Sequence, residues 1–346
     1  MPALFRGRGG MPPARSFDVC HLGPAIVHFT GSMQALDPVI FFFLLGLAGG
    51  LAKSDLDIPD QINNAISIYL LLAIGLKGGI KLHGADLHPV LLPALGTLTL
   101  GLIIPVIAYA ALRRLGRFSG IDSAAIAAHY GSTSVITFAV ALNVLSRQGT
   151  PYEPFMVVLL VILEIPAIIV GLMLTRLTHA SSNVHWSETL REVVLGKSVL
   201  LLVGGFIVGW INGPERMADI NRLFLDPFKG VLALFMVGMG VAAARRLGEL
   251  RTAGPFLIGF ALLMPILSSF LGISAGMLCG LSYGGCVLLG VLAASASYIA
   301  ATAAVRVALP EANPGYYLVA SLGITFPFNV LLGIPLYQRL ATWMGA

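Results

Sequence analysis

The chain has 346 residues, of which 57% are hydrophobic and only 11% are charged, and its mean hydropathy is +0.89. A soluble domain has about 25% charged residues, so this chain lacks the polar groups that a water-facing surface needs. The composition therefore excludes a soluble protein and predicts an integral membrane protein. The formal charge of +5 suits a membrane face better than nucleic acid, and we expect no nucleic-acid partner.

Residues 1–33 match neither a membrane span nor a signal peptide. They include Arg6, Arg8 and Arg15, but no apolar run follows these arginines. We interpret this segment as a flexible leader, or as an extension upstream of a true start at Met11 or Met33.

Ten apolar segments follow, each long enough as a helix to cross a hydrocarbon core of about 30 Å. They lack strand alternation and are too long for barrel strands, so we expect helices. They lie near residues 35–52, 62–81, 89–114, 121–146, 153–177, 193–212, 228–247, 254–279, 285–309 and 315–342. The predicted fold is an all-α integral membrane protein with ten transmembrane helices.

The fourth span is interrupted by Gly131, Ser132, Thr133 and Ser134. A continuous helix would place these groups on all of its faces, so we expect a break here. A break exposes the amide N–H groups that open the second half-helix, and these amides and the hydroxyls favour a small anion. The alternative is that the small residues only allow close helix packing or bond to backbone carbonyls.

Ionisable residues inside membrane spans are costly, so each is a functional candidate. Glu164 lies near Pro166, whose missing N–H leaves a carbonyl free to join a cation site. Glu164 and Ser132 are the candidate sodium ligands. The candidates for cation coupling are Lys77, Asp122, His129 and Glu164.

Each of these four residues also has a purely structural interpretation. Glu164 could be a neutral buried acid, and Lys77 could extend its ammonium group to the membrane surface. Asp122 could cap the fourth span, and His129 could be a packed polar residue.

A polar linker over residues 179–192 divides the spans into two units, residues 34–178 and 193–346. At a constant offset of 163 residues, Gly46 matches Gly209 and Gly75 matches Gly238. This register predicts one five-helix unit used twice. Since five is odd, the second repeat must be inverted, as in carriers that work by alternating access.

The same offset aligns residues 131–134 with 294–297, in the ninth span. A second break there would bring two helix N-termini together near the membrane midplane, where an anion would interact with both. Tyr298 could donate a hydrogen bond to the anion or serve only in packing. The predicted anion site consists of Gly131, Ser132, Thr133, Ser134, Ser295, Ala296, Ser297 and Tyr298.

Lys and Arg are more frequent in the loops that follow odd-numbered spans. The positive-inside rule then predicts a cytoplasmic linker and periplasmic or extracellular termini. The chain contains no Walker loop, GxSxG, HExxH or dinucleotide motif, and its three cysteines lack metal-ligand spacing. We therefore expect no enzyme activity and no cofactor other than sodium as a co-substrate.

Five short motifs follow one another along the chain from about residue 35. They are residues 74–79 (IGLKGG), 131–133 (GST), 164–167 (EIPA), 226–230 (DPFKG) and 312–314 (ANP). Their order and spacing resemble the cyanobacterial-type sodium-dependent bicarbonate transporters. The resemblance implies a ten-helix inverted-repeat carrier of the inner membrane, with a core and a gate domain, that takes up bicarbonate with sodium. It also implies a homotrimer surrounded by lipid and a PII-like regulatory protein on the cytoplasmic face.

The ninth span departs from the pattern of that family. The family has a serine-rich stretch that ends in Asp and is followed by Gly-Pro-Pro, whereas this chain has Tyr298 and then Ala-Ala-Thr at 300–302. A carboxylate that could hold a cation is therefore missing, and Lys77 stands at a Thr-like position. A midplane lysine, paired with Glu164, could replace a bound sodium ion.

These observations predict a secondary transporter that takes up a small monovalent anion, first of all bicarbonate, together with sodium, by alternating access at a midplane site. Two alternatives stay open. One is a carrier of another small carboxylate, coupled to protons or to exchange. The other is a transport-inactive sensor or scaffold that binds a cytoplasmic regulator.

Overall fold

The computed structural model describes residues 37–56, 58–177 and 186–346, and within these ranges it is helical without β-strands. The helices before residue 178 are α1 (Pro38–Leu51), α2 (Asp60–Leu82), α3 (His88–Arg114), α4 (Gly120–Gly131), α5 (Val135–Arg147) and α6 (Met156–Met173). A 3₁₀ turn at Leu174–Leu177 ends α6. The leader predicted for residues 1–33 lies outside the described ranges.

The second half of the chain has eight helices in its described part. They are α7 (Trp186–Leu195), α8 (Lys197–Arg216), α9 (Ala218–Phe224), α10 (Phe228–Leu247), α11 (Leu250–Leu278), α12 (Tyr283–Ala294), α13 (Ala300–Ala308) and α14 (Pro314–Met344). The span expected from residue 193 begins instead at Lys197, because Gly196 has extended backbone angles (φ −57°, ψ 149°) and separates α7 from α8. Residues 186–192 of the expected linker are therefore helical.

Within the described ranges, eight helical stretches are long and apolar enough to cross a membrane. The first and ninth expected spans are represented by shorter apolar helices, α1 and α12. At 1.5 Å per residue, a 14-residue helix such as α1 covers about 21 Å, and the ninth span is divided between α12 and α13. The structure is thus a helical multi-span protein, and the count of ten spans stays a prediction.

Helices from the two halves of the chain pack in reciprocal pairs. The α2 helix packs along α8, and α1 packs along α10. Glycine permits both close approaches: a Cβ atom at Gly209 would lie 2.5 Å from the Leu76 carbonyl oxygen, and one at Gly46 would lie 2.0 Å from that of Val237. The glycine pair that the 163-residue offset aligns therefore lies at these two crossings, one residue at each, and the inverted repeat stays a prediction.

The interrupted helices occupy the interior of the fold. The most apolar 18 residues of Gly120–Arg147, which include the break between α4 and α5, are 100% buried, whereas those of α3 are 33% buried. The neighbours of α4 are α3 and α6, and α12 packs against α11 and α14. A membrane protein tolerates non-helical backbone only where protein or a water-filled cavity surrounds it, so this placement makes both breaks physically permissible.

Candidate functional site

Both expected helix breaks are present. The α4 helix ends at Gly131 and α5 begins at Val135, whereas α12 ends at Ala294 and α13 begins at Ala300. Ser132 and Ser295, the first residues after α4 and α12, both have extended backbone angles (φ −87°, ψ 171° and φ −83°, ψ 157°). The two halves of the chain therefore leave the helix in the same way at equivalent positions.

The two breaks are hydrogen-bonded to each other. The Ser134 amide donates to Ser295 Oγ over 2.8 Å, and the Ser297 amide donates to the His129 carbonyl over 2.9 Å. Ser295 Oγ also donates to the Leu292 carbonyl, the last turn of α12. These bonds fix the position of one broken helix relative to the other.

A narrow cavity, the inner cavity, lies beside this crossing. The first break contributes Thr133, Ser134, Val135 and Ile136, and the second contributes Ser297, Tyr298, Ile299 and Ala300. The remaining lining residues are Ser67 and Leu71 on α2, Glu164 on α6 and Ser198 on α8. The first turns of both α5 and α13 therefore face the same space.

Helix N-termini carry roughly half a positive charge from their unpaired amides. Ser134 Oγ accepts the Thr137 amide at the start of α5, and Ser297 Oγ accepts the Ala301 amide at the start of α13, each over 3.2 Å. The other first-turn amides have no partner within their own helix. Two positive helix ends on one cavity make it suitable for an anion.

Several polar atoms around the inner cavity are buried and have no hydrogen-bond partner among the described residues. They are Ser67 Oγ, Ser132 Oγ, Thr133 Oγ1 and Glu164 Oε2. An unsatisfied buried polar group costs about 1–3 kcal/mol, so native structures rarely retain a cluster of them without a partner. All of these residues except Ser132 line the cavity, and a polar ligand there would satisfy them.

Four of the residues predicted for the anion site do not line the inner cavity. A Cβ atom at Gly131 would lie 2.9 Å from the ring of Pro105 on α3, so glycine allows the end of α4 to pack there. Ala296 is buried and, like Gly131, Ser132 and Ser295, does not line the inner cavity. The expected sodium pair of Ser132 and Glu164 therefore does not share one cavity wall.

His129 lies next to the crossing but outside the lining of the cavity. Its Nδ1 lies 2.7 Å from the Ala125 carbonyl, its Nε2 lies 3.1 Å from Thr302 Oγ1, and its ring stacks on Tyr317. The imidazole thus connects α4 with α13 and α14.

Asp122 lies at the outer end of α4, where its contacts are structural. Ser119 is the N-cap, its Oγ accepts the Asp122 amide and donates to Asp122 Oδ2, and Asp122 Oδ1 accepts the Asn313 amide. The capping residue is therefore Ser119, and Asp122 connects the start of α4 to the start of α14 through the Asn313 amide.

Lys77 and Glu164 line different cavities, and the described residues show no ion pair between them, so the pairing suggested from the sequence stays a prediction. Lys77 lies near the C-terminal end of α2, with its ammonium 5.9 Å from the centre of the Phe228 ring. At this position, near the end of the helix, Lys77 lies away from the break.

Ser67 on α2 and Ser198 on α8 also line the inner cavity, and neither residue was predicted from the sequence. A signal for Ser67 was present, because Ser67, Leu71 and Ile74 follow one face of a helix at i, i+4 and i+7. For Ser198 the sequence carries no comparable pattern.

Over the ranges that the structure describes, no three His, Cys, Asp or Glu residues cluster as metal ligands. A cation at Glu164 would need hydroxyl or carbonyl oxygens as its other ligands.

Comparison with known proteins identifies the family of this fold. Residues 38–342 match the family model described as the Na⁺-dependent bicarbonate transporter superfamily. No curated protein matches the chain. The family consists of transporters and not of enzymes, and its match covers every helix described above except the last residues of α14. The chain belongs to the Na⁺-dependent bicarbonate transporter superfamily.

Proposed function

We propose that the protein is a secondary carrier that takes up a small monovalent anion, bicarbonate in the first place, at the inner cavity. The observation that carries the proposal is the meeting of two helix N-termini on one buried cavity that also holds unpaired hydroxyl groups. A planar oxyanion can accept hydrogen bonds from the amides and from the hydroxyls of Thr133 and Tyr298 at the same time. The narrowness of the cavity favours a small anion over a large one.

The position of Glu164 leads us to propose that a cation binds in the inner cavity together with the anion. Among the described residues, its carboxyl group is the only acidic group that lines the inner cavity, and Glu164 is 1% exposed. A negative carboxylate beside an anion is unfavourable unless a cation lies between them or the carboxyl group carries a proton. Sodium, as the family description implies, is our first candidate, and a proton is the second.

Coupling to one cation also makes energetic sense for uptake of an anion. An inside-negative potential opposes anion entry by about 2.3 kcal/mol per 100 mV, and an accompanying cation cancels this term. A tenfold sodium gradient, worth about 1.4 kcal/mol, can then sustain about a tenfold anion gradient.

The arrangement of helices supports alternating access. The inner cavity lies between α2 and α8, which pack on each other, and the helices that carry the breaks. The reciprocal pairs α2 with α8 and α1 with α10 are what a pseudo-two-fold axis between inverted repeats produces. A relative movement of these two groups of helices would expose the site to one side of the membrane and then to the other.

Uptake of labelled bicarbonate into proteoliposomes tests the function directly. We expect uptake that needs an inward sodium gradient and stays unchanged when the membrane potential is clamped at zero. Uptake driven equally well by a proton gradient without sodium identifies the second candidate. Thermal stabilisation by bicarbonate without any flux would instead support a sensor or scaffold and contradict the carrier.

The variant Glu164→Gln tests the coupling role of the carboxyl group. The amide keeps the shape of the side chain but cannot carry a negative charge or release a proton, so we expect the cation dependence of uptake to be lost. Thermal unfolding should change little, because glutamine keeps the volume of this buried side chain. An unchanged response to both sodium and protons would remove Glu164 from the site.

A further inference from the structure

A second cavity, the outer cavity, is larger than the inner one. Three lysines line it, Lys77 and Lys81 near the end of α2 and Lys229 at the start of α10. Tyr152, on the connection between α5 and α6, completes this group. None of the residues that line the cavity is acidic.

Aromatic rings, and not carboxylates, are the neighbours of two of these ammonium groups. Lys81 Nζ lies 4.7 Å from the centre of the Tyr152 ring and donates to its hydroxyl over 3.5 Å, and Lys77 lies over Phe228. The faces of the rings attract the ammonium groups but leave their net charge in place. Burial raises the pKa of the Tyr152 phenol, yet the hydrogen bond from Ser146 and the charges of Lys77 and Lys81 outweigh it, so the pKa is lowered.

The same three helices line the outer and the inner cavity. On α2, Ser67 and Leu71 face the inner cavity and Lys77 and Lys81 face the outer one. The α5 helix contributes its first turn to the inner cavity and Phe138, Leu142, Asn143 and Ser146 to the outer one. Glu164 of α6 lines the inner cavity, whereas Met156 and Val157 line the outer one.

The two cavities are neighbours along these helices. Leu71 lines the inner cavity and Ile74, three residues later on α2, lines the outer one, which corresponds to about 4.5 Å at 1.5 Å per residue, whereas Lys77 comes ten residues after Ser67. The apolar side chains of Ile74, Phe138 and Leu142 lie along this interval. The outer cavity is therefore a positively charged vestibule at one end of the helices that form the anion site.

We propose that the outer cavity binds small oxyanions and delivers them to the inner cavity. The delivery step rests on the proposed function, whereas the binding step does not. A cleft with one sign of charge and apolar walls focuses the electric field and raises the local concentration of the opposite ion. Three ammonium groups also repel one another, so a bound anion relieves this repulsion. Inorganic phosphate and sulfate, with more charge than bicarbonate, should bind more tightly.

The binding arm of the test uses inorganic phosphate and the full chain in nanodiscs of phosphatidylcholine alone, at low ionic strength. Calorimetry should show binding to the wild type that weakens at least about tenfold in Lys77→Gln/Lys81→Gln/Lys229→Gln. Arg222→Gln is the matched control, because Arg222 is exposed on α9, just before α10, and does not line the cavity. Equal phosphate affinity in the triple variant and the wild type would overturn the proposal.

The transport arm measures bicarbonate uptake by the same proteins. We expect the triple variant to raise the KM by about tenfold at low salt, with a smaller effect on the maximal rate. The difference should disappear at 1 M salt, where the screening length falls to about 3 Å. An equal loss at low and high salt would contradict electrostatic capture.

Two further outcomes separate the possible sources of failure. A triple-variant effect that appears only in vesicles with anionic lipid would mean that the lysines bind lipid headgroups, and this overturns the proposal. Phosphate binding that depends on the lysines, in a wild type that moves no bicarbonate, would support the vestibule and contradict the carrier.

Discussion

Thr133 is the residue that best distinguishes a binding role from a packing role. Its hydroxyl lines the inner cavity, is buried and has no partner in the described structure, so it stabilises nothing that the structure shows. Valine has the same shape without the hydroxyl. A hydrogen bond to a charged ligand is worth about 1.5–3 kcal/mol, and Thr133→Val should therefore lower uptake efficiency by roughly 10- to 100-fold.

Thr97 supplies the matched control for this prediction. It is fully buried on α3, its hydroxyl likewise lacks a partner among the residues described, and it lines neither cavity. Both Thr→Val variants should unfold at or slightly above the wild-type temperature, since each removes an unsatisfied hydroxyl. Equal uptake by the two variants would exclude Thr133 from the substrate site.

The residues of the two breaks show what sequence could and could not predict at this scale. The runs 131–134 and 295–298 were identifiable, because hydroxyls in an apolar span conflict with a regular helix. The different roles of the residues within these runs could not be predicted from the sequence. Ser295 accepts a hydrogen bond from the backbone of the other break, whereas Thr133 and Tyr298 line the cavity. These roles depend on hydrogen bonds between residues more than 160 positions apart in the sequence.

At the scale of the helices, the close crossings at glycine lead to a prediction about stability. Gly209→Ala should destabilise the fold, because the added Cβ atom would lie 2.5 Å from the Leu76 carbonyl oxygen and force α8 away from α2. Overpacking of this kind costs about 1–3 kcal/mol. Gly46→Ala, at the equivalent crossing of α1 and α10, should have an effect of similar size.

Gly204 provides the control on the same helix. No atom lies within 4 Å of a Cβ atom built there, so Gly204→Ala adds only helix propensity, worth about 0.5–1 kcal/mol in favour of folding. Thermal unfolding of purified protein should therefore shift in opposite directions for Gly204→Ala and Gly209→Ala. A stabilised Gly209→Ala would show that α2 and α8 do not approach as closely as described.

Most helices of this fold were predictable because long apolar segments have few alternatives in a membrane. The exceptions have physical causes. The Gly196 backbone separates α7 from α8 within a segment whose composition gave no sign of a boundary, and π-helical turns interrupt α14 at Val319–Thr325 and Asn329–Gly333. The composition of a segment is an average over several residues, so it does not reveal the one extra residue that a π-helical turn contains.

The position of Lys77 shows why a predicted site needs the third dimension. The sequence placed Lys77 in a span and suggested a charge at the membrane midplane. A helix advances about 1.5 Å per residue, so about ten residues of helix lead from the midplane of the membrane to its surface. The neighbours of Lys77, which are Lys81, Lys229 and Tyr152, come from three different parts of the chain. Only the packing of α2 against α10 and the α5–α6 connection brings them together.

At the scale of the whole molecule, alternating access makes Ser198 a reporter of motion. It lies near the start of α8, is 4% exposed and lines the inner cavity opposite the breaks. After replacement of the three native cysteines, Ser198→Cys should react with a membrane-impermeant thiol reagent from either side of a vesicle. Bicarbonate with its coupling cation should change the two rates in opposite directions, because it shifts the balance between the two open states.

Ser268→Cys is the control for this measurement. Ser268 is 1% exposed on α11 and lines neither cavity, so its thiol should stay unreactive from both sides. A channel would react at Ser198→Cys from both sides at rates that ions do not shift in opposite directions. A scaffold with one fixed conformation would react from one side only, and either pattern would show that the two groups of helices do not move as a carrier requires.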